Sequence, residues 1–321
     1  MYLDQFIDDC YARGLTPQTI ATYRSNVGSF LEFLDKDPIE VQMNDLRAFL
    51  GHLRAKKYIV GRDHRQGVAP ATLKSTFSAI SSFYEFLAWE DVIMANPVQK
   101  FRRRYIRTKE QRHGENTRQL ISINKMRELI ELTRDFDDIL AEALITFAAK
   151  TGLRKGELIA MNVQDLNFDN YSFTVPPKRK RSSRIGFMDG ETVEVLYRYL
   201  DWREPRAKTT ALWISPAGYR IGRNENGPCE IVKKYARILG IHDDNGPLNK
   251  RFTTHCCRHW LTTHIGRNGM KREYIQELRG DVRKDAIDIY DHIDTELLRE
   301  SYLKHIPKFR TVDLKQTKLF V

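Results

Sequence analysis

Cysteine is scarce, with four in 321 residues: Cys10, Cys229, Cys256 and Cys257. Their spacing makes no disulfide framework, so reduced thiols are expected. His255, Cys256, Cys257 and His259 also fail as a zinc site. Neighbours on a helix point to different faces, and no second Cys-x-x-Cys pair exists. Small buried hydrophobes is the better reading of Cys256 and Cys257. Long hydrophobic runs are missing too. None approaches the ~20 residues that span a bilayer. Asp4, Asp8 and Asp9 interrupt any secretory signal. A cytoplasmic protein with no membrane partner is expected. There is no Walker-type glycine loop and no Asp/Glu cluster for two magnesium ions. Nothing visible calls for ATP, a metal or another cofactor.

Acidic residues are outnumbered, 42 against 53 basic ones, for a net charge of +11. Such a surplus favours a polyanion partner. With 41% hydrophobic residues, the chain has material for two domains with cores of their own.

Residues 1–100 read as a helical domain. Thr16-Pro17 opens a helix with a cap and a proline at its first position. Ile20, Tyr23, Val27, Phe30, Leu31 and Leu34 then share a face. A second helix follows Asn44, Lys57 to Gly67 is expected as a polar loop, and a third helix follows Pro70. Its stripe of Phe77, Phe83 and Tyr84 reads as core rather than base-stacking surface. Residues 101–118 shift to basic composition and read as an interdomain linker. Arg102, Arg103 and Arg104 are its candidate phosphate contacts. A second domain runs over 119–306, with a hairpin between Asp165 and Val175 turning at Asp169-Asn170. A strand is expected over Ala211–Ile214, and a basic, unpatterned tail fills 307–321.

The most informative stretch is Thr253 to Tyr290. His255 and Arg258 stand three apart, on one face of a helix that Asn268-Gly269 can end. A short helix then runs to Gly280, and the chain continues to Tyr290. A phenol, with a free pKa of roughly 10, is a weak nucleophile that needs help. A guanidinium is always charged and forks onto two phosphate oxygens. An imidazole moves protons near neutral pH. The trio suits attack of a tyrosine on a phosphodiester.

The segment Ala149-Lys150-Thr151-Gly152-Leu153-Arg154-Lys155-Gly156-Glu157-Leu158 resembles the first conserved box of the tyrosine recombinases, the phage integrase and Xer family. His255-Cys256-Cys257-Arg258-His259 resembles the second box. Leu278-Arg279-Gly280-Asp281, with Ile289-Tyr290, resembles the end of the third. Gly14 to Ile20, with Tyr23, resembles the opening of the family's core-binding domain.

The resemblance implies a mainly α fold with a small antiparallel β-sheet (α+β). An N-terminal helical, SAM-like core-binding domain and a catalytic domain would form a clamp on double-stranded DNA. It implies a homo-tetramer in synapsis, a nucleoid-associated location and no cofactor. Tyr290 would be the nucleophile, Arg154 and Arg258 the phosphate ligands, and His255 a proton acceptor. Matching Val175 and Arg184 to the family's flanking residues puts the catalytic lysine at Lys178, with Lys180 the alternative. Lys180 and Arg181 of that basic run, and Lys233 and Lys234 of a later helix, are further DNA-contact candidates. Glu157 is expected to order the arginine or cap a helix.

One position departs from the pattern. Relatives usually carry His or Trp where this chain has Asp281. A carboxylate there should repel the phosphate. Asp281 is expected to turn away and accept a hydrogen bond from His255 or a neighbouring donor, raising the imidazole's pKa. Otherwise it keeps its proton, or the site is weakened. The last possibility leaves a catalytically silent DNA-binding protein as an alternative class, and a type IB topoisomerase shares the chemistry.

Overall fold

A computed structural model describes residues 2–60, 63–106, 117–176, 183–222, 227–281 and 293–310, with side chains 58–65 left aside. The chain divides into two compact units, Met1–Gln111 and Arg112–Val321.

The first unit is a helical bundle: α1 (Tyr2–Ala12), α2 (Pro17–Leu34), α3 (Met43–Ala55), α4 (Pro70–Trp89) and α5 (Pro97–Phe101). Thr16 caps α2, its hydroxyl accepting from the Thr19 N–H at 3.2 Å, with Pro17 in the first turn. Phe77, Phe83 and Tyr84 of α4 are wholly buried, packed with Phe6, Phe30 and Phe49. Two expectations change here. Lys57 to Gly67 is not simply a loop: β1 (Lys57–Val60) pairs antiparallel with β2 (Asp63–Gln66). Tyr58-Ile59-Val60 has the β-branched and aromatic content that favours a strand. The segment expected as linker also starts as helix. A π-turn over Arg102–Ile106 continues α5, because Phe101 and Ile106 are apolar and sit in this unit's core.

The second unit is built around α7 (Ile139–Thr151), buried at every position from Leu140 to Thr151. Around it pack α6 (Ile123–Asp135), α9 (Gly190–Arg203) and α11 (Thr254–Arg267). The short α8 (Lys155–Ala160) follows α7. Three antiparallel strands come next, β3 (Leu166–Asn167), β4 (Ser172–Val175) and β5 (Arg184–Phe187), with Val175 opposite Arg184. The β3–β4 turn lies where expected, because the Asn167 side chain accepts from the N–H groups of Asp169 and Asn170. Then come α10 (Pro228–Ile238), α12 (Arg272–Arg279) and α13 (Thr295–His305), the last capped by Asp294. Ala211–Ile214 is buried but makes only isolated bridges rather than the expected strand. Cys10, Cys256 and Cys257 are buried.

Lys150 anchors the far end of this unit. Its ammonium has no exposed surface and lies 2.5 Å from both Asp189 and Glu191. It also donates to the Pro307 carbonyl at 2.7 Å and sits 4.4 Å above the Phe309 ring. Glu191 accepts from the Phe309 and Arg310 N–H groups. Pro307 and Phe309, expected as tail, are therefore buried, with Lys308 left exposed, because a buried cation and carboxylate need those partners.

Candidate active site

Two helix ends create the site. Gly152 ends α7 in the left-handed region (φ +61°), where a Cβ would meet Leu261 at 2.9 Å. The turn releases the Gly152 carbonyl, which accepts from Arg258 Nη1 of α11 at 2.8 Å. It also places Arg154 at the head of α8. There the Glu157 carboxylate accepts from the Arg154 backbone N–H at 2.8 Å and from its Nη1 at 3.1 Å. Glu157 is buried and also accepts from Arg184 Nη2 of β5 at 3.0 Å. These guanidiniums hold its carboxyl below the usual range against the upward push of burial. The expected ordering role of Glu157 is thus visible as contacts.

The second helix end is that of α12. Its last residue, Arg279, offers a carbonyl that accepts from Arg154 Nη1 at 3.0 Å and from Arg258 Nη2 at 2.9 Å. Gly280 follows at φ +57°, and a Cβ there would meet the Arg184 guanidinium at 2.8 Å. The turn delivers Asp281 to the arginine pair. Its Oδ1 accepts from Arg154 Nη2 at 2.9 Å and Arg258 Nη2 at 3.2 Å, while Oδ2 lies 2.8 Å from Arg279 Nε. Burial and the neighbouring arginines pull Arg258 down to about 10, still charged at neutral pH.

His255 tells against one expectation. Its pKa is not raised by a carboxylate. Desolvation lowers it first, then Arg118, His259, Arg258 and Arg154, to about 4. Asp281 is engaged with arginines instead, because guanidiniums offer it stronger, charge-assisted donors than a neutral ring. The imidazole is therefore neutral at physiological pH and able to accept a proton.

The structure thus gathers Arg154, Arg258 and Asp281 at one point, with His255 within electrostatic reach of the two arginines. Lys178, Lys180, Arg181 and Tyr290 lie outside the described residues. Arg103 and Arg104 are exposed on the π-turn and Arg102 is half-buried. Lys233 and Lys234 each meet an acidic group on this chain, Glu230 at 2.6 Å and Asp138 at 3.3 Å. Three site residues escaped the sequence reading: Arg279, Arg184 and Arg118. All three stood in segments already singled out, but basic residues are common in this chain and nothing in their spacing marked them.

The family model described as the phage integrase family matches residues 119–296, and its N-terminal SAM-like domain model matches 2–93. Tyrosine recombinase XerC of Herpetosiphon aurantiacus is 27% identical over 295 residues, covering 88% of this chain and 87% of its own. The Tn1549 transposon integrase, solved with transposon right end DNA, has a similar fold. Its TM-score is 0.70 at 17% identity, over 90% of this chain and 97% of that one. A lambda integrase tetramer bound to a Holliday junction gives 0.65 at 15%, over 94% and 77%. With a family model matching more than half of its residues, the chain belongs to the phage integrase family of tyrosine recombinases.

Proposed function

We propose that this chain is a site-specific DNA recombinase that cuts and rejoins strands through a 3′-phosphotyrosyl intermediate. The convergence of Arg154 and Arg258 Nη2 on one anionic oxygen carries this reading. A nonbridging phosphate oxygen has the charge and reach to take that place. Tyr290 Oη attacks phosphorus and the bond to the 5′-oxygen breaks. His255, neutral in the free protein, takes the phenol proton, and Lys178 protonates the departing 5′-oxygen. Both arginines offset the charge of the five-coordinate transition state. The 5′-hydroxyl of a partner strand then reverses the step, so the phosphodiester energy is kept. Four subunits on two sites would carry out two such exchanges through a Holliday junction, the kind of DNA to which the similar lambda integrase tetramer is bound. Arg102, Arg103 and Arg104 supply sequence-independent phosphate contacts.

A nicked suicide duplex tests the reading. Wild type is expected to form a covalent adduct at the 3′-phosphate, and Tyr290→Phe to bind the duplex without forming it. An adduct from the Phe variant would place the nucleophile elsewhere. No adduct from wild type would favour the silent DNA-binding class.

A further inference from the structure

Asp281 sits where a substrate anion should go. Of the Arg154 donors, Nη1 is committed to Glu157 and the Arg279 carbonyl, and Nη2 to Asp281. Of the Arg258 donors, Nη1 is committed to Gly152 and Nη2 to the Arg279 carbonyl and Asp281. Arg154 Nη2, and Arg258 Nη2 beside its bond to the Arg279 carbonyl, share a single carboxylate oxygen, Asp281 Oδ1.

The Asp281 side chain is open to solvent, 30% exposed, whereas Arg258 beneath it is 5% exposed. The arginines are fixed by backbone carbonyls and by Glu157, so their pose does not depend on Asp281. A carboxylate and a phosphodiester are both monoanions with paired oxygens, and guanidiniums fork onto either. The two cannot occupy the same donors at once.

We propose that Asp281 is an internal occupant of the phosphate seat, a specificity-determining residue that competes with an incoming phosphate for Arg154 and Arg258. The inference rests on the reading of these arginines as phosphate ligands. In the free protein the carboxylate neutralises part of a dense positive cluster formed by Arg154, Arg258 and Arg279. Only an anion that brings binding energy from elsewhere, as a duplex does along its backbone, displaces it. An isolated anion has no such help and is turned away. The seat therefore discriminates between phosphate in a duplex and phosphate free in solution.

The experiment measures binding of inorganic phosphate to the full chain by calorimetry, for wild type and for Asp281→Asn. The Asn variant keeps a side-chain oxygen for the arginines but removes the competing charge. Its affinity is expected to rise about tenfold, the size of one or two partly exposed ion pairs. Adding Arg258→Ala to Asp281→Asn is expected to abolish the gain, which locates the anion in the seat. Asp281→Glu, which keeps the charge, is expected to stay weak. Asp281→Ala serves if Asp281→Asn does not fold. An unchanged or weaker affinity without the carboxylate, or a gain that survives loss of Arg258, overturns the proposal. The suicide duplex is run in parallel. If wild type forms no adduct while the phosphate result holds, the recombinase reading fails and the competition stands.

Discussion

Lys150 and Arg154 stand four residues apart, on either side of Gly152. Both belong to the same ten-residue segment, Ala149 to Leu158, and both are held by acidic groups. Lys150 is fully buried, and its three donors go to Asp189, Glu191 and the Pro307 carbonyl. Arg154 keeps 28% of its side chain exposed, and one of its acidic partners, Asp281, is itself open to solvent. The first cation ties helix α7 to the end of the chain. The second holds its charge at a surface where an outside anion can exchange for an internal one. Burial with complete pairing makes a structural cation, and partial exposure with an exchangeable partner makes a functional one.

Breaking the buried side should have the largest effect. Lys150→Met leaves Asp189 and Glu191 facing each other without their cation. Removing one partner of a buried ionic group costs about 3–5 kcal/mol, read as a lower urea midpoint with cooperative unfolding. A loss below about 1 kcal/mol, the range of exposed pairs, would erase the contrast between the two cations.

Arg154→Ala is the complementary change. Its backbone N–H still reaches Glu157, which also keeps Arg184, so stability should fall by no more than about 1 kcal/mol. Adduct formation on the suicide duplex should fall by about 10² to 10³, as when one preorganised transition-state donor is removed. A drop in the urea midpoint as large as that of Lys150→Met would make Arg154 a structural cation too.

Arg118→Ala makes the finest distinction. Partial desolvation of the His255 ring, which is still exposed at the surface, is the first cause of its low pKa, and the Arg118 charge is the second. Removing a positive neighbour favours the protonated ring, so the pKa should rise from about 4 towards the ordinary value of about 6.5. Where the neutral ring is the active form, the acid limb of kcat/KM shifts to higher pH by less than burial alone maintains. The limb is read from adduct formation rates between pH 4 and 8. An unmoved limb would remove His255 from the proton transfer or Arg118 from its surroundings.

The helical bundle, its capped α2 and the aromatic core of α4 were legible because they rest on local rules: 3.6-residue periodicity, proline in a first turn and a hydroxyl cap. The β3–β4 turn was legible through Asp169-Asn170. Helix α1 was not picked out, although Phe6, Ile7 and Cys10 all lie on its buried side. Arg154, Arg258 and His255 could be named because each lies in a short contiguous box. Arg184 could not be given its role, because the Glu157 it bonds is 27 residues away and on another element.

The sequence by itself determined the family, the mainly helical architecture and the residue types of the chemistry, since those depend on order and spacing along the chain. Only the tertiary structure decided what Asp281 does. From the sequence its carboxylate was a misfit beside a phosphate, and its expected partner was His255 or a neighbouring donor that the sequence did not name. In the fold, Gly280 turns it towards Arg154, Arg258 and Arg279, which come from three different helical segments. The physical reason is that a carboxylate's role is set by the charges around it, and those charges converge only when α8, α11 and α12 have packed.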